Sequence, residues 1–265
     1  MNFAQQTTLG RTGLKVGRLG ISSSFGAPAQ AFEEAFEKGC NYFTWGTFIK
    51  GRSSKMKQAI KNIIAKGNRD KLVLSFFTYA HNHFLTETFL TRGLKALGID
   101  YADILILGYF PKRPKRKILE GALRLKEKNL VRFLALSSHH RSVFPDLVKD
   151  GLIDAFHIRY NAAHRGAEKD AFPYIQGENK PGVVSFTATR WGQLLKAKKM
   201  PPGEKPATAI DCYRFVLSHP TVDVCMVGTR NMEQMRENLK TLELGPMNEE
   251  ELTRMRKIGD YLYKK

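Results

Sequence analysis

The strongest constraint on the fold is a repeated alternation of short apolar runs with longer segments of helical periodicity. Three of the apolar runs read LVLSFF (72–77), ILILGYF (104–110) and FLALSS (133–138). Unbroken apolar runs of this kind are typical of parallel strands that are covered on both faces. Each run is followed by a helical pattern, so the chain is built from consecutive β–α units.

Eight such units follow a predicted N-terminal β-hairpin at Thr8–Val16. The predicted strands are Arg18–Ser22, Asn41–Trp45, Lys71–Phe77, Ala102–Phe110, Val131–Ser138, Ala155–Asn161, Gly182–Thr189 and Val222–Val227. The helices between them are predicted at Pro28–Lys38, Ser53–Lys66, Thr86–Leu97, Lys115–Lys128, Arg141–Lys149, Arg165–Ile175 and Ala207–Leu217. A helix begins after Asn231, and an extra C-terminal helix covers about Asn248–Tyr263. Eight units in 265 residues predict an α/β protein with a (β/α)₈ TIM barrel, as one domain spanning 1–265.

The competing fold is a doubly wound parallel sheet. That fold places a glycine-rich turn of the G-x-G-x-x-G type after its first strand. Here the corresponding residues are Ile21-Ser-Ser-Ser-Phe25, which contain no glycine. The sequence therefore favours the barrel, whose chemistry lies at the carboxyl ends of the strands and whose phosphate sites follow the seventh and eighth strands.

The segment from Val222 to Leu239 has the pattern of an anion site at the eighth strand end. An apolar strand stops at Gly228, and Asn231 can cap the helix that follows. Free N–H groups and the helix dipole favour negative charge at such a junction, and the fork of Arg230 suits phosphate. Polar helical positions that can contact a nucleotide are Gln234, Glu237 and Asn238. The alternative is an ordinary β–α unit with a surface arginine.

Composition limits the partners and the compartment. No apolar run is long enough to cross a bilayer, and the polar start MNFAQQTTLGRTG predicts no signal peptide. The three cysteines, Cys40, Cys212 and Cys225, lack metal-like spacing, which fits a reducing cytoplasm. We therefore expect a cytoplasmic protein with no metal site and no membrane partner.

The net charge of +18 calls for an anionic partner, unless it reflects adaptation of a whole proteome. A basic run directly follows the fourth predicted strand, where it would raise the local concentration of an anionic ligand. The run consists of Lys112, Arg113, Lys115, Arg116 and Lys117. Aromatic residues do not alternate with these cations, which disfavours nucleic acid.

Seven segments together resemble the aldo-keto reductases over nearly the whole chain. They are LGRTGL (9–14), GCNYF (39–43), LGIDYAD (97–103), LSS (136–138), YNAAHRGAE (160–168), SFTAT (185–189) and the glycine-to-EN signature at 228–238. The resemblance implies a barrel that binds NADP(H) and an oxidoreductase activity.

The resemblance also assigns cofactor contacts. Ser137 and Ser138 would meet the nicotinamide amide, and Phe186 would stack on the nicotinamide ring. The pyrophosphate would be held by Thr187, Thr189 and Arg190. The adenosine phosphate end would be held by Gly228, Thr229, Arg230, Gln234, Glu237 and Asn238. His157 stands where the family usually has a glutamine.

The catalytic positions depart from the family pattern. The family uses an Asp, a Tyr, a Lys and a His at four strand ends. The corresponding residues here are Thr44, Ile49, Phe77 and Gly108, and a shift of one residue restores none of them. General acid–base catalysis by a tyrosine that a lysine primes contributes a factor of roughly 10²–10⁴ in rate. Carbonyl reduction by the usual mechanism is therefore not implied.

Two tyrosines are candidates for a replacement proton donor. Tyr79 and Tyr109 follow the third and fourth predicted strands, and Gly108 would leave room for the Tyr109 ring to turn inward. The alternative is that both are aromatic residues of the rim. His139 and His140 are interpreted as part of a solvated loop.

Two functions from different classes follow. The first is a divergent NADP(H)-dependent oxidoreductase with a non-standard active site. The second is a non-catalytic barrel that binds NADP(H) or a protein partner as a sensor or auxiliary subunit. Short loops after the fourth and eighth strands indicate a wide mouth, which suits an anionic or bulky small molecule.

Overall fold

Eight parallel strands close into a barrel in the computed structural model, which describes residues 2–46 and 52–264. Each barrel strand pairs with the next along the chain, and the last strand pairs with the first. A separate antiparallel hairpin is formed by β1 (Thr7–Thr8) and β2 (Lys15–Val16). The barrel strands are β3 (Leu19–Ser22), β4 (Tyr42–Trp45), β5 (Val73–Thr78), β6 (Ala102–Leu107), β7 (Val131–Ser138), β8 (Ala155–Arg159), β9 (Gly182–Phe186) and β10 (Val224–Val227). The predicted TIM barrel with its N-terminal hairpin is confirmed.

Helices surround the barrel in the predicted order. They are α1 (Ala29–Glu37), α2 (Arg52–Ala65), α3 (His83–Leu97), α4 (Arg116–Glu127), α5 (Phe144–Asp150), α6 (Ala167–Asp170), α7 (Ala209–Leu217), α8 (Met232–Leu239) and α9 (Glu249–Tyr263). Asn231 caps α8 as expected, because its side chain accepts a hydrogen bond from the Gln234 N–H at 2.8 Å. Asn248 and Glu251 form a capping box at the start of α9, the extra C-terminal helix. No helix in the described ranges is long and apolar enough to span a membrane.

Three strands end earlier than the sequence predicts. β8 stops at Arg159 instead of Asn161, and the larger differences are in β6 and β9. β6 stops at Leu107 instead of Phe110, and β9 stops at Phe186 instead of Thr189. In both places a non-glycine residue takes the left-handed conformation, with φ of 55° at Tyr109 and 61° at Thr187. The chain therefore turns at the mouth of the barrel sooner than hydrophobicity suggests.

The predicted helix at Arg165–Ile175 is also broken. One turn of α-helix is followed by a 3₁₀ turn at Phe172–Tyr174, where Pro173 lies near the start of the turn. Proline cannot donate the backbone hydrogen bond that a continuing helix needs, so the first element ends.

The part of the barrel interior nearest the amino ends of the strands is filled with apolar side chains. Side chains alternate between the two faces of a strand, so every second residue points inward. The inward layer contains Tyr42, Val73, Ile104, Ile106, Ala135, Ala155, Val184 and Val224. The hairpin contributes buried Leu9, Leu14 and Val16 to the same cluster, at the amino ends of the strands. Inward positions above this layer face the opposite end of the barrel, where the strands finish.

Candidate functional site

The carboxyl ends of the strands surround a pocket of about 150 Å³. TIM barrels carry their chemistry at this end. All eight barrel strands, or the turns that directly follow them, contribute to its wall. The lining residues are Ser22, Ser23, Thr44, Phe77, Tyr79, Tyr109, Ser137, His157, Phe186 and Met226. Larger grooves of about 520 and 600 Å³ lie along α9 and beside the hairpin, and neither is lined by a sequence-predicted site residue.

Strand alternation decides which of the two adjacent serines reaches the pocket. Ser137 shares the inward face of β7 with Ala135 and lines the pocket. The Ser138 hydroxyl donates to the Phe110 carbonyl at 2.7 Å and accepts from the His140 N–H at 3.0 Å. Of the two serines predicted to meet the nicotinamide amide, Ser137 therefore lines the pocket and Ser138 does not.

Five aromatic rings form an arc around the pocket, which we call the aromatic arc. Its members in order are Phe77, Tyr79, Tyr109, His139 and Phe186. Their successive centroid distances are 4.7, 5.7, 4.5 and 5.2 Å. Stacked and edge-to-face contacts at these distances are favourable, so the rings support one another at an otherwise open mouth.

Tyr109 joins this arc through its unusual backbone. Its left-handed φ breaks the strand alternation after Gly108, and its side chain is 40% exposed. The phenol oxygen is hydrogen-bonded to His139 Nε2, while His139 Nδ1 is buried without a hydrogen-bond partner among the described residues. Burial lowers the pKa of His139 to about 4, with the charges of Arg159 and His140 acting in the same direction. His139 is therefore a neutral imidazole at the mouth, and its assignment to a solvated loop was wrong.

The space beside Gly108 is filled by Phe77. A Cβ atom added at Gly108 would lie 2.2 Å from the Phe77 ring and 2.7 Å from the Thr78 carbonyl oxygen. The prediction that this glycine leaves room for Tyr109 to turn inward is wrong, because the phenylalanine ring already occupies that room. Tyr109 stacks on Tyr79 and His139 instead.

The four positions that correspond to the family's catalytic residues carry no ionisable group where the structure describes them. Thr44 and Phe77 line the pocket, and the Thr44 hydroxyl lies 2.8 Å from the hydroxyl of Ser75. Gly108 has no side chain. Ile49 lies outside the described residues.

A buried phenol–imidazole pair lies below the pocket. The Tyr42 hydroxyl is 2.9 Å from His157 Nε2, and His157 lines the pocket. Burial raises the pKa of Tyr42 and lowers that of His157 to about 3, so both groups are neutral near pH 7. The sequence analysis missed Tyr42, although its position two residues before Thr44 places both side chains on the inward face.

The loop after β9 is held in a strained conformation. Thr187, Arg190 and Trp191 have φ of 61°, 50° and 52°, a region that residues other than glycine seldom adopt. Thr189 Oγ1 accepts from the Gly192 N–H at 3.2 Å, and Arg190 Nη1 donates to the Leu262 carbonyl at 2.7 Å. The predicted pyrophosphate residues are thus fixed in a loop that is tied to the end of α9.

The turn between β10 and α8 contains an unsatisfied hydroxyl. Thr229 is 1% exposed, and its Oγ1 has no hydrogen-bond partner in the described part of the chain. A buried hydroxyl without a partner costs stability and is rare in folded proteins. A Cβ at the preceding Gly228 would lie 2.1 Å from the Phe25 ring, so this glycine admits Phe25 rather than open solvent.

The remaining predicted nucleotide residues lie on or next to α8. Arg230 is exposed, and its backbone N–H donates to Gln234 Oε1 at 3.0 Å. Glu237 forms an ion pair with Lys240 at 2.6 Å, and Asn238 is buried. The side chains of Arg230 and Gln234 therefore stand at the surface next to the Thr229 turn.

The basic run and the three cysteines, which the sequence also singles out, lie outside the pocket. In the basic run, Arg113 pairs with Asp150, and Arg116 pairs with Glu120 at 2.6 Å. Cys40, Cys212 and Cys225 are buried, and burial raises the pKa of each thiol. Within residues 2–46 and 52–264, no cluster of three or more His, Cys, Asp or Glu side chains is placed to hold a metal ion.

Comparison with known proteins supports the same architecture. The aldo/keto reductase family model matches residues 203–260, a range that contains β10, the Thr229 turn and α8. Two structures of an aldo-keto reductase from Bacillus halodurans are similar at 20% sequence identity. The holo form has a TM-score of 0.77 and the apo form 0.73. Each alignment covers 96% of this chain, with 96% of the holo chain and 95% of the apo chain. No curated protein sequence matches significantly. The chain thus has the fold of an aldo-keto reductase barrel.

Proposed function

We propose that this barrel binds NADP(H) at its carboxyl-terminal mouth and acts as a divergent oxidoreductase of the aldo-keto reductase type. The observation that carries the proposal is the wall of the pocket. Ser137 and Phe186, which the resemblance assigns to the nicotinamide, line one cavity with His157, which replaces the family's glutamine on the strand between them. An aromatic face with a few polar groups is the usual make-up of a cofactor site.

The residues present fit a nucleotide beyond the nicotinamide as well. The buried Thr229 hydroxyl lacks a partner in the described chain, and a ligand oxygen or N–H at that turn would supply one. The exposed guanidinium of Arg230 stands next to it at the start of α8, where the helix dipole favours a phosphate. The orphaned hydroxyl is thus explained by a ligand that the free chain does not contain.

The aromatic arc supplies a proton donor for carbonyl reduction. Bound NADPH supplies a hydride to the carbonyl carbon. The oxygen that receives the displaced electron pair needs a proton, and Tyr109 presents a phenol at the pocket wall. Neutral His139 lies within hydrogen-bond distance of that phenol oxygen and can stabilise the phenolate that remains. Because Tyr109 is 40% exposed, solvent can return the proton.

Tyr79 is the second candidate donor. Its ring stacks on Tyr109 at 5.7 Å, it also lines the pocket, and partial burial raises its pKa. We rank it below Tyr109 because its pKa is shifted away from the range of a useful acid.

One observation favours the non-catalytic alternative. The Phe77 ring fills the space next to Gly108, so the half of the mouth that holds the family's acid–base groups is apolar here. A barrel of this kind can bind NADP(H) as a sensor or auxiliary subunit without turning over a substrate.

Fluorescence titration with NADPH and NADH tests the binding part of the proposal. Thr229→Val keeps the shape of the side chain and removes only the unsatisfied hydroxyl, so we expect it to weaken NADPH binding by about threefold to tenfold. Thr241→Val is the matched control, because Thr241 is also buried and its hydroxyl likewise has no hydrogen-bond partner among the described residues. An equal effect of both variants, or no saturable NADPH binding by the parent, would refute the assignment.

Tyr109→Phe tests the proton donor. The substitution keeps the ring and its stacking but removes the proton, so kcat on any active substrate should fall at least about tenfold. NADPH affinity should be unchanged. If kcat is unaltered in both Tyr109→Phe and Tyr79→Phe, neither phenol is the donor, and solvent protonation or the non-catalytic function becomes the better account.

A further inference from the structure

Arg159 is placed on the pocket side of the barrel. It is the last residue of β8 and shares the inward face with Ala155 and His157. Its register partner on the neighbouring strand is Phe186, which lines the pocket. Arg159 therefore lies one inward position beyond His157, at the end of the strand that borders the pocket.

This arginine has no partner of its own. No hydrogen bond or ion pair joins the half-buried Arg159 side chain to another residue of the described chain. The arginines that flank Asp103 elsewhere show the usual arrangement, with Arg69 and Arg132 at 3.0 and 2.9 Å from its carboxylate. A partly desolvated guanidinium without an anion is costly, since buried charges are normally paired.

The surroundings of Arg159 are positively charged. Burial lowers its pKa most and Arg141 lowers it further, while Tyr263 raises it and Arg190 lowers it. The pKa of His164 falls to about 4, first through burial and then through Arg159, Arg190 and Arg141. Among the described residues, Asp170 is the one carboxylate that pairs with any of the three arginines, and it lies 2.8 Å from Arg141. Positive charge thus exceeds negative charge at this part of the rim.

We propose that Arg159, with Arg141 and Arg190 beside it, binds an anionic group of the substrate, so that the pocket takes carbonyl compounds bearing a carboxylate or a phosphate. The substrate class rests on the proposed function, whereas the anion site depends only on the placement of these arginines. A guanidinium presents paired donors that match carboxylate and phosphate oxygens, and such charge-assisted hydrogen bonds are strong in a partly desolvated site.

Calorimetric titration with inorganic phosphate and with benzoate tests the anion site without requiring turnover. Benzamide is the uncharged control for benzoate, because it has the same ring without the carboxylate. We expect Arg159→Met to weaken the binding of both anions at least about tenfold, and Arg159→Lys to weaken it less. Arg92→Met is the control, since it removes one exposed charge from α3, away from the pocket residues. It should change the affinity less than about twofold, because exposed and screened charges contribute little.

A second arm repeats the titrations on protein saturated with NADP⁺. If the arginines hold a substrate anion, benzoate and phosphate bind with the nucleotide in place. Loss of anion binding on saturation would mean that the cluster holds the phosphates of the nucleotide, and would overturn the substrate assignment. Equal anion affinity in the parent and in both folded Arg159 variants, checked by thermal melting, would overturn the site itself. If anions bind through Arg159 but NADPH does not bind, the proposed function fails while the anion site stands.

Discussion

The two halves of the barrel mouth differ in what their strands present to the pocket. Where β4, β5 and β6 end, the inward positions after the apolar core are Thr44, Phe77 and Gly108. Where β7 and β8 end, they include Ser137, His157 and Arg159, and the β10 turn adds a buried hydroxyl without a partner in the described chain. The first half is largely apolar, whereas the second carries polar and charged groups, of which Arg159 and Thr229 make no side-chain hydrogen bond or ion pair within the described chain.

Under the proposed function, this difference would separate cofactor binding from acid–base catalysis on one barrel. Each strand end is built on its own loop, so substitutions in one half leave the other in place. Within the apolar half, Phe77 and Gly108 are a single packing solution, because the ring of one fills the space that a side chain at the other would need. A side chain at position 108 and the large ring at position 77 therefore exclude each other in this packing.

The largest expected effect concerns this packing pair. Gly108→Val forces a side chain against the Phe77 ring and the Thr78 carbonyl, so we expect the free energy of unfolding to fall by about 3 kcal/mol. Phe77→Ala opens the space. The double variant should then be no less stable than Phe77→Ala alone, to within about 0.5 kcal/mol. Chemical denaturation of the four proteins measures the coupling, and additive losses would show that the two positions do not share one space.

A second prediction concerns the polar half. We expect NADPH to bind more tightly than NADH, because Arg230 and the turn at the start of α8 suit an additional phosphate. Arg230→Ala should narrow the difference by about 1–3 kcal/mol, the size of a charge-assisted hydrogen bond. Lys240→Ala, which removes a nearby exposed charge that is already paired with Glu237, is the control. Equal affinity of the parent for both nucleotides would contradict this assignment.

The smallest effect concerns His157, which forms the buried pair with Tyr42 below the pocket. Burial lowers the pKa of His157 to about 3 from its ordinary 6.5, so the unfolded chain binds a proton first as the pH falls. Stability from this residue is complete above pH 6.5 and is lost progressively towards pH 3. Between pH 7.5 and 5.5 we expect the parent to lose about 1 kcal/mol more unfolding free energy than His157→Gln.

Parallel curves of unfolding free energy against pH for the parent and His157→Gln would contradict a buried, neutral His157. His139 and His164, whose pKa values are lowered to about 4, titrate in both proteins. The difference between the two curves therefore isolates His157.

The order of the elements was predictable from the sequence because hydrophobic periodicity reports which side chains are buried. Eight apolar runs that alternate with amphipathic helical segments are the pattern of a (β/α)₈ barrel. The ends of β6 and β9 were not, since Tyr109 and Thr187 adopt left-handed conformations that no side-chain pattern signals. Inward and outward alternation would have separated Ser137 from Ser138 and revealed Tyr42, once the register of each strand was known.

Contacts between side chains on different strands could not be predicted from the sequence. The Phe77 ring against Gly108 joins β5 to the end of β6, and the Tyr42–His157 pair joins β4 to β8. His139 was interpreted as part of a solvated loop because it follows the fifth predicted strand, whereas its neighbours in space are aromatic rings. Such pairings depend on closure of the barrel and not on local pattern.

The separation of binding from standard catalysis is tested most directly by measuring both on one preparation. NADPH affinity is determined by fluorescence titration, and NADPH consumption is then followed with 4-nitrobenzaldehyde at saturating nucleotide. We predict saturable NADPH binding together with negligible turnover of this simple aldehyde. Turnover at the rate of an ordinary aldo-keto reductase would contradict the assignment of Thr44, Ile49, Phe77 and Gly108 to the family's catalytic positions. Absence of nucleotide binding would contradict the retained cofactor half.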